Sequence, residues 1–211
     1  MKRTALRALE YGLIAAGLSA LAYSALAIAG AALGQRRAFA ALARAGVSTA
    51  IIESHVLSAL PDGPPAPQVP RRGAPFAVLE IPRLHVSEAV LEGSDGATLR
   101  RGPGRIEQTS ETGGTGNIGI AGHRDTFFRP LNGIRAGDDI LLSTMQGTFR
   151  YRVSSVEIVS PTDVSVLATT GVPTLTLVTC YPFWFVGPAP MRYVVRAIRT
   201  DTPQARNLRL S

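Results

Sequence analysis

The hydrophobic pattern divides this chain into an apolar amino-terminal part and a strand-like remainder. From Tyr11 to Leu33 the chain runs 23 residues without a charge. At about 1.5 Å per residue, a helix of that length crosses a hydrocarbon core of about 30 Å. A cleaved signal peptide has a shorter apolar region, of about 7 to 15 residues. We therefore predict an uncleaved transmembrane helix over 11–33, preceded by a cytoplasmic tail of residues 1–10.

Two connecting segments follow this span. Residues 34–60 place apolar side chains at helical spacing and are rich in Ala and Leu, which predicts a juxtamembrane helix. The histidine within it, His55, has no Cys, Asp or second His at ligand spacing, so we interpret it as a surface residue. Residues 61–75 hold six prolines in fifteen positions. Since such a segment cannot form a regular helix or a paired strand, it predicts a stiff, extended linker.

The remainder, residues 76–200, has the alternating pattern of β-strands. Seven segments are rich in β-branched and aliphatic residues and are separated by clusters of Gly, Pro, Asn and Asp. They are 76–82, 84–93, 117–123, 139–144, 149–159, 174–180 and 192–199. Residues 95–102 and 160–169 favour short helices, the second capped by Thr162 or Asp163. The pattern predicts a closed or sandwiched all-β domain rather than strand-helix-strand repeats, with residues 201–211 as a tail.

Charge changes the picture only at the amino-terminal end. The net charge is +7, but residues 1–75 hold eight Lys and Arg against three acids, whereas residues 76–200 hold twelve against eleven. The excess positive charge therefore flanks the apolar span, where basic residues contact anionic lipid headgroups. The remaining domain is nearly neutral and has no basic stripe that would bind a nucleic acid. Because basic residues lie on both sides of the span, the positive-inside rule does not decide its orientation.

The candidate chemistry centres on the single cysteine, Cys180, at the end of the strand-like segment 174–180. One cysteine cannot form an internal disulfide. It is therefore a buried apolar side chain, an intermolecular link or a reactive thiol. A thiol nucleophile needs a base or cation nearby, and acyl transfer also needs a donor to the oxyanion.

The strand-rich part offers two histidines and two arginines as partners for the thiol. His85 falls on an early strand, and we interpret it as structural or surface. His123 follows a short apolar strand and a glycine, so it lies at a strand exit, as Cys180 does; alone, it is equally compatible with an ordinary loop histidine. Arg192 alternates with Arg196 on one face of the last strand, and spacing alone does not choose between them.

Taken together, these segments resemble the sortases, the membrane-anchored cysteine transpeptidases of bacterial cell surfaces. The resemblance rests on TLVTC at 176–180, on GHR at 122–124 after an apolar strand, and on Arg192 twelve residues after the cysteine. The order His, Cys, Arg and the interval of 57 residues between His123 and Cys180 also match. The match covers residues 76–199 and is most similar to class D, with class E as the alternative.

The resemblance implies a fold and a set of roles. The fold is an eight-stranded β-barrel with short helices, placed outside the cytoplasmic membrane. Cys180 is implied to be the nucleophile that attacks the threonine carbonyl of a sorting motif like Leu-Pro-x-Thr-Gly in a surface protein. His123 is implied to be the general acid and base, and Arg192, rather than Arg196, the donor to the oxyanion and substrate. An amine on the cell envelope is the implied acceptor.

Further residues follow from the same resemblance. Thr179 is expected to line the site, and residues 160–174 are expected to form the loop that contacts the motif, with Val164, Val166 and Leu167 as apolar contacts. The same three residues are also compatible with ordinary packing. Some sortases bind calcium through acidic loop residues, but the spacing of Glu107, Glu111 and Asp163 is not diagnostic. We predict no metal and no other cofactor.

Two other functions stay open on the sequence. The domain is also compatible with a thiol protease that hydrolyses the same motif, since no residue pattern encodes acceptor preference. A membrane-tethered β-domain with an inert cysteine, serving as a binding module, is the second alternative.

Overall fold

In the computed structural model, residues 2–47, 71–110 and 115–201 are described. Two α-helices and eight strands span most of them. The helices are α1 (Lys2–Arg44) and α2 (Gly96–Leu99). The strands are β1 (Pro75–Ile81), β2 (Val86–Glu92), β3 (Gly104–Arg105), β4 (Asn117–Ala121), β5 (Asp139–Thr144), β6 (Gly147–Val159), β7 (Thr174–Tyr181) and β8 (Met191–Arg199). Single turns of 3-10 helix lie at Pro82–Leu84, Arg129–Gly133 and Ser165–Leu167.

The strands close into a barrel in the order β1-β2-β3-β4-β7-β8-β6-β5. Most neighbours are antiparallel, but β2 with β3 and β4 with β7 run parallel. The closed eight-stranded barrel confirms the predicted all-β fold. Seven of its strands coincide with the seven segments of the pattern, whereas the two-residue β3 is too short to give one.

Alternation along the strands sets the two faces of the barrel. On β7, Leu175 and Leu177 point into the barrel core, so Thr176, Val178 and Cys180 lie on the outer face. The core is filled by aliphatic and aromatic side chains from every strand except β3. Its fully buried large members include Leu79, Ile81, Phe128, Ile140, Leu142 and Tyr151.

The amino-terminal helix α1 is one unbroken helix of 43 residues. It includes the predicted span 11–33 and is long and apolar enough to cross a membrane by length and composition. It ends at Arg44, after which Gly46 adopts a left-handed conformation with φ of 83°. The amide of Gly46 donates to the Ala43 carbonyl and that of Val47 to the Leu42 carbonyl, which together form a Schellman motif. Residues 48–60, and most of the predicted linker, lie outside the described residues.

The last turns of α1 pack on the outside of β1 and β2. Ala38, Leu42 and Val47 are buried against the outward-facing side chains of the two strands, Val78, Ala89 and Leu91. In the barrel, β1 and β2 lie across from β7 and β8, with two strands between them on either side. The helix therefore covers the side of the barrel that faces away from Cys180.

One polar side chain joins α1 to the edge of β2. Because β3 pairs only with Leu91 and Glu92, the backbone of Ala89 has no strand partner on that side. The side-chain amide of Gln35 makes the hydrogen bonds to Ala89 that a neighbouring strand would otherwise make. Its Oε1 accepts from the Ala89 N–H at 2.7 Å, and its Nε2 donates to the carbonyls of Ala89 and Arg101, both at 3.0 Å.

Candidate active site

The register of β7 and β8 brings one arginine to the cysteine. Cys180 lies directly opposite Arg192 in this antiparallel pair, whereas Arg196 lies opposite Thr176, four residues away. Directly opposed residues share a face and have Cβ atoms about 4.5 to 5.5 Å apart. Both arginines lie on the same face of β8, but the strand register places only Arg192 next to Cys180.

The register of β4 and β7 brings the histidine to the other side of the cysteine. These strands are parallel and pair Ala121 with Val178, and the Gly122 N–H donates to the Val178 carbonyl at 3.1 Å. Continued two residues past Ala121 and Val178, the same register and alternation assign His123 to the position next to Cys180 on the outer face. His123 is exposed and Cys180 is half-buried. The three predicted catalytic residues thus come from the exit of β4, the carboxyl end of β7 and the start of β8, and Cys180 is paired directly with Arg192.

Local packing fixes the exit of β4. A Cβ atom on Gly122 would lie 2.7 Å from the ring of Phe128, so only glycine fits beneath that ring. Phe128 is fully buried, and its N–H donates to the His123 carbonyl at 3.0 Å. The short sequence GHRDTFF therefore folds back on itself and holds the His123 backbone against the barrel.

Thr179 ties the two strands together beneath the site. Its side chain is buried on the inner face, and its hydroxyl donates to the Gly122 carbonyl at 2.7 Å. It therefore does not line the outer face on which Cys180 lies, contrary to the sequence-based expectation. Through Gly122, the contact supports the backbone of both His123 and Cys180.

The β6–β7 loop covers the outer face of β4 and β7 below the cysteine. The Asn117 Nδ2 donates to the carbonyls of Val166 and Ala168, and the Thr176 hydroxyl donates to the Asn117 Oδ1 at 2.7 Å. Val166 is buried and Leu167 is half-buried. A Cβ atom on Gly119 would lie only 2.9 Å from the Leu167 Cδ2, so the leucine packs directly on the backbone of β4.

Of the three apolar residues predicted in this loop, only Val164 is well exposed, at 74%. The burial of Val166 makes it a packing residue, so its expected contact with substrate is not supported. Leu167 is partly available beside Val164. Asp163 contributes to the loop as well, because its carboxylate accepts from the Ser165 N–H at 3.0 Å.

The β7–β8 loop forms a rim next to the cysteine. Phe183 is buried and packs edge-on against Tyr181 and Tyr193, with ring centroids 6.2 and 5.0 Å away. Burial raises the pKa of the Tyr193 phenol, and neighbouring Tyr181 adds to the rise. The next residues point outward, with Trp184 at 72% exposure, Phe185 at 43% and Val186 at 96%. The aromatic segment after Cys180 thus has a buried anchor and an exposed apolar tip.

Arg124 is the last residue of the GHR segment, and the sequence assigns it no role of its own. Its side chain is only 6% exposed. It donates to the carbonyls of Pro182, Phe185 and Gly187 in the β7–β8 loop, at 3.0, 2.5 and 3.2 Å. The partners lie 58 to 63 residues away along the chain. No local pattern could have indicated them.

Arg192 is half-buried and held by its own loop. Its Nη1 donates to the carbonyls of Ala189 at 3.3 Å and Met191 at 3.0 Å. A guanidinium carries five N–H donors. Among the described residues both bonds of Arg192 use Nη1, which leaves Nε and Nη2 to donate to a group bound at Cys180.

The remaining candidates lie away from this site. His85 is exposed in a left-handed conformation, φ 53°, between the turn at Pro82–Leu84 and β2, rather than on a strand. Glu107 is paired with Arg72, and Glu111 lies outside the described residues, as does His55. Within residues 2–47, 71–110 and 115–201, no group of three or more His, Cys, Asp or Glu could hold a metal ion.

A family model described as Sortase domain matches residues 79–200, which is more than half of the chain. This chain belongs to the sortase family. Sortase D of Bacillus subtilis is 35% identical over 127 residues, covering 60% of this chain and 64% of that protein. Sortase SrtE1 of Streptomyces coelicolor is 37% identical over 108 residues, covering 45% of this chain and 30% of that protein. This sortase therefore spans less than two thirds of either relative.

Solved structures agree with the sequence relatives. A sortase D5 transpeptidase of Clostridium perfringens superposes with a TM-score of 0.58 at 30% identity, over 63% of this chain and 82% of that one. Sortase A of Corynebacterium diphtheriae gives 0.58 at 31% identity, over 65% and 66%. The predicted resemblance to sortases is confirmed, with class D among the relatives.

Proposed function

We propose that this sortase is a membrane-anchored cysteine transpeptidase that cleaves a sorting motif resembling Leu-Pro-x-Thr-Gly in surface proteins and transfers the acyl group to an amine. The observation that carries the proposal is the strand register. It pairs Cys180 with Arg192, and the pairing of β4 with β7, continued two residues past Ala121, supports His123 as the neighbour of Cys180. A nucleophile, a proton-transfer group and a fixed cation on one face are the groups that acyl transfer through a thioester requires.

The first half-reaction forms the thioacyl enzyme. The Cys180 thiolate attacks the carbonyl carbon of the motif's threonine, and the carbonyl electrons move to oxygen to give a tetrahedral oxyanion. When the oxyanion collapses, the bond to the glycine nitrogen breaks and the departing amine takes a proton from His123. The products are a thioester on Cys180 and the free carboxy-terminal fragment.

The second half-reaction reverses these proton transfers. The acceptor amine attacks the thioester and loses a proton to His123, and Cys180 leaves as a thiolate. Covalent catalysis divides amide exchange into two steps with lower activation barriers than the direct exchange. The second step is easy because an amine attacks a thioester more readily than an amide. The exposed position of His123 gives it access to both the leaving and the incoming amine.

Arg192 supplies the charge that the tetrahedral stage needs. Its position opposite Cys180 and its two anchoring bonds to the loop carbonyls hold the guanidinium in place before substrate arrives. A preorganised cation favours the oxyanion over the neutral ground-state carbonyl, and removal of one such donor costs on the order of 100-fold or more in rate.

The anchor agrees with a surface-protein substrate. Helix α1 is long and apolar enough to cross a membrane, and it packs on the barrel face opposite the site. A barrel outside the cytoplasmic membrane, held on this helix, would present Cys180 away from its own anchor and toward a neighbouring membrane-bound precursor.

The test uses the full chain in detergent micelles with a peptide that contains Leu-Pro-x-Thr-Gly, with and without an added amine such as triglycine. We expect cleavage between Thr and Gly and a triglycine adduct of the amino-terminal fragment, both lost in Cys180→Ala. Cleavage whose products do not change with amine would identify a hydrolase instead. Absence of cleavage, with a Cys180 that also resists a small alkylating reagent, would favour a binding module.

A further inference from the structure

The β7–β8 loop, residues 182–190, carries an exposed apolar tip on a backbone organised by one buried cation. Trp184, Phe185 and Val186 are all exposed, although apolar loop tips are usually avoided on a soluble surface. The loop starts two residues after Cys180. We therefore expect a ligand bound at Cys180 to contact the tip of this loop.

The backbone of this loop converges on Arg124. Three of its carbonyl oxygens, from Pro182, Phe185 and Gly187, accept hydrogen bonds from the two terminal nitrogens of the guanidinium. The Pro182 carbonyl also accepts from the Phe185 N–H at 3.3 Å, which closes the first turn of the loop. Carbonyl groups that point at one centre repel each other, so the loop requires a cation there to keep this shape.

Arginine is the residue type that fits this centre. The Arg124 Nε donates to Asp125 at 3.2 Å, so every nitrogen of the planar group has a partner. Its guanidinium also lies 6.0 Å from the Phe185 ring centroid. Lysine would place one point charge on a flexible stem and could not hold three carbonyls in a fixed fork. A second arginine, Arg129, stacks at 4.6 Å on the ring of Trp184 and orients the tip.

Arg124 is also the neighbour of His123 in the chain, so the same strand exit carries a predicted catalytic group and the anchor of the loop. We propose that Arg124 is a positioning residue that holds the β7–β8 loop as a rigid apolar wall of the substrate groove. It acts through the loop, and so it lowers KM for the sorting peptide rather than raising kcat. The kinetic part of this inference rests on the proposed function.

The chain contains one tryptophan, Trp184, so its fluorescence reports on this loop without any substrate. The variants are Arg124→Gln, Arg124→Lys and, as a matched control, Arg152→Gln, whose side chain is 56% exposed and pairs with Asp139. Time-resolved anisotropy of the full chain in micelles measures the amplitude of nanosecond motion, the range in which loops move. We expect that amplitude to rise at least twofold in Arg124→Gln, by less in Arg124→Lys, and not in the control.

Kinetics on the sorting peptide provide the second readout. We expect KM to rise about tenfold in Arg124→Gln with kcat within threefold, partial rescue in Arg124→Lys, and an unchanged pH profile for alkylation of Cys180. If Arg124→Gln does not fold, the smaller changes in Arg124→Lys carry the test. Unchanged anisotropy in a folded Arg124 variant would overturn the inference. A loss in kcat at constant KM would also overturn it, because that result assigns Arg124 to His123 rather than to the loop.

The two proposals fail in different ways. If the wild-type chain turns over no sorting peptide, the proposed function is wrong, whereas the anisotropy of Trp184 still decides whether Arg124 orders the loop.

Discussion

Arg192 and Arg196 lie on the same face of β8, but only Arg192 lies opposite Cys180. Replacing each in turn with glutamine removes one charge from the same strand and leaves a polar side chain. The pair therefore tests whether position relative to the cysteine, rather than positive charge near the site, supports the reaction.

The magnitude follows from the two separations. At about 5 Å and an effective dielectric constant of about 20, a unit charge stabilises an oxyanion at Cys180 by about 3 kcal/mol, or about 200-fold in rate. Four residues along a strand are about 13 Å, so Arg196 is separated from that oxyanion by more than the Debye length of about 8 Å. In a dielectric constant near 80 its contribution is about 0.3 kcal/mol, less than a factor of two.

The assay is kcat/KM for the sorting peptide, measured on the full chain in micelles, with circular dichroism to show that each variant is folded. We expect Arg192→Gln to lower kcat/KM by about 100- to 300-fold and Arg196→Gln by less than twofold. Equal losses in the two variants, or a loss below fivefold in Arg192→Gln, would show that the position opposite Cys180 gives Arg192 no special role in the reaction.

Three further predictions concern stability, each measured by urea unfolding of the full chain. Gln35→Ala leaves the buried backbone groups of Ala89 without partners and should cost about 2 to 3 kcal/mol. Glu92→Gln leaves the buried Arg105 guanidinium, now bonded at 2.6 and 2.8 Å, without its counter-charge and should cost about 3 to 5 kcal/mol. Burial raises the pKa of Glu88 from 4.5 to about 7. The folded protein therefore binds the extra proton between these values, and stability should fall as the pH rises through that window, a fall that Glu88→Gln removes. Wild-type midpoints in the first two variants, or an unchanged pH slope in the third, would contradict these assignments.

Strand positions were predictable because alternation is a local property. The pattern located Cys180 and His123 at strand ends, and the structure adds only that β4 and β7 are neighbours. The choice between Arg192 and Arg196 needed the pairing of β7 with β8, which depends on contacts distant in sequence. Before the register was known, only the resemblance to a family favoured Arg192.

Other features depend on tertiary contacts that no local pattern reports. Thr179 precedes the cysteine, but alternation turns its side chain into the barrel, where it bonds to Gly122. Arg124 is part of the GHR segment, but its contacts were not predictable, because its acceptors are main-chain carbonyls of a loop distant in sequence. The end of α1 was readable in principle from Gly46, since glycine after a helix indicates a left-handed cap.

Trapping the acyl enzyme decides whether Cys180 is the nucleophile. The full chain is mixed with a sorting peptide in the absence of added amine, quenched in acid within seconds, and examined by intact-mass spectrometry and peptide mapping. We expect a mass increase equal to the peptide's acyl portion, ending at threonine, located on Cys180 and released by hydroxylamine. Turnover of the peptide with no covalent adduct on Cys180, or turnover that persists in Cys180→Ala, would show that Cys180 is not the nucleophile.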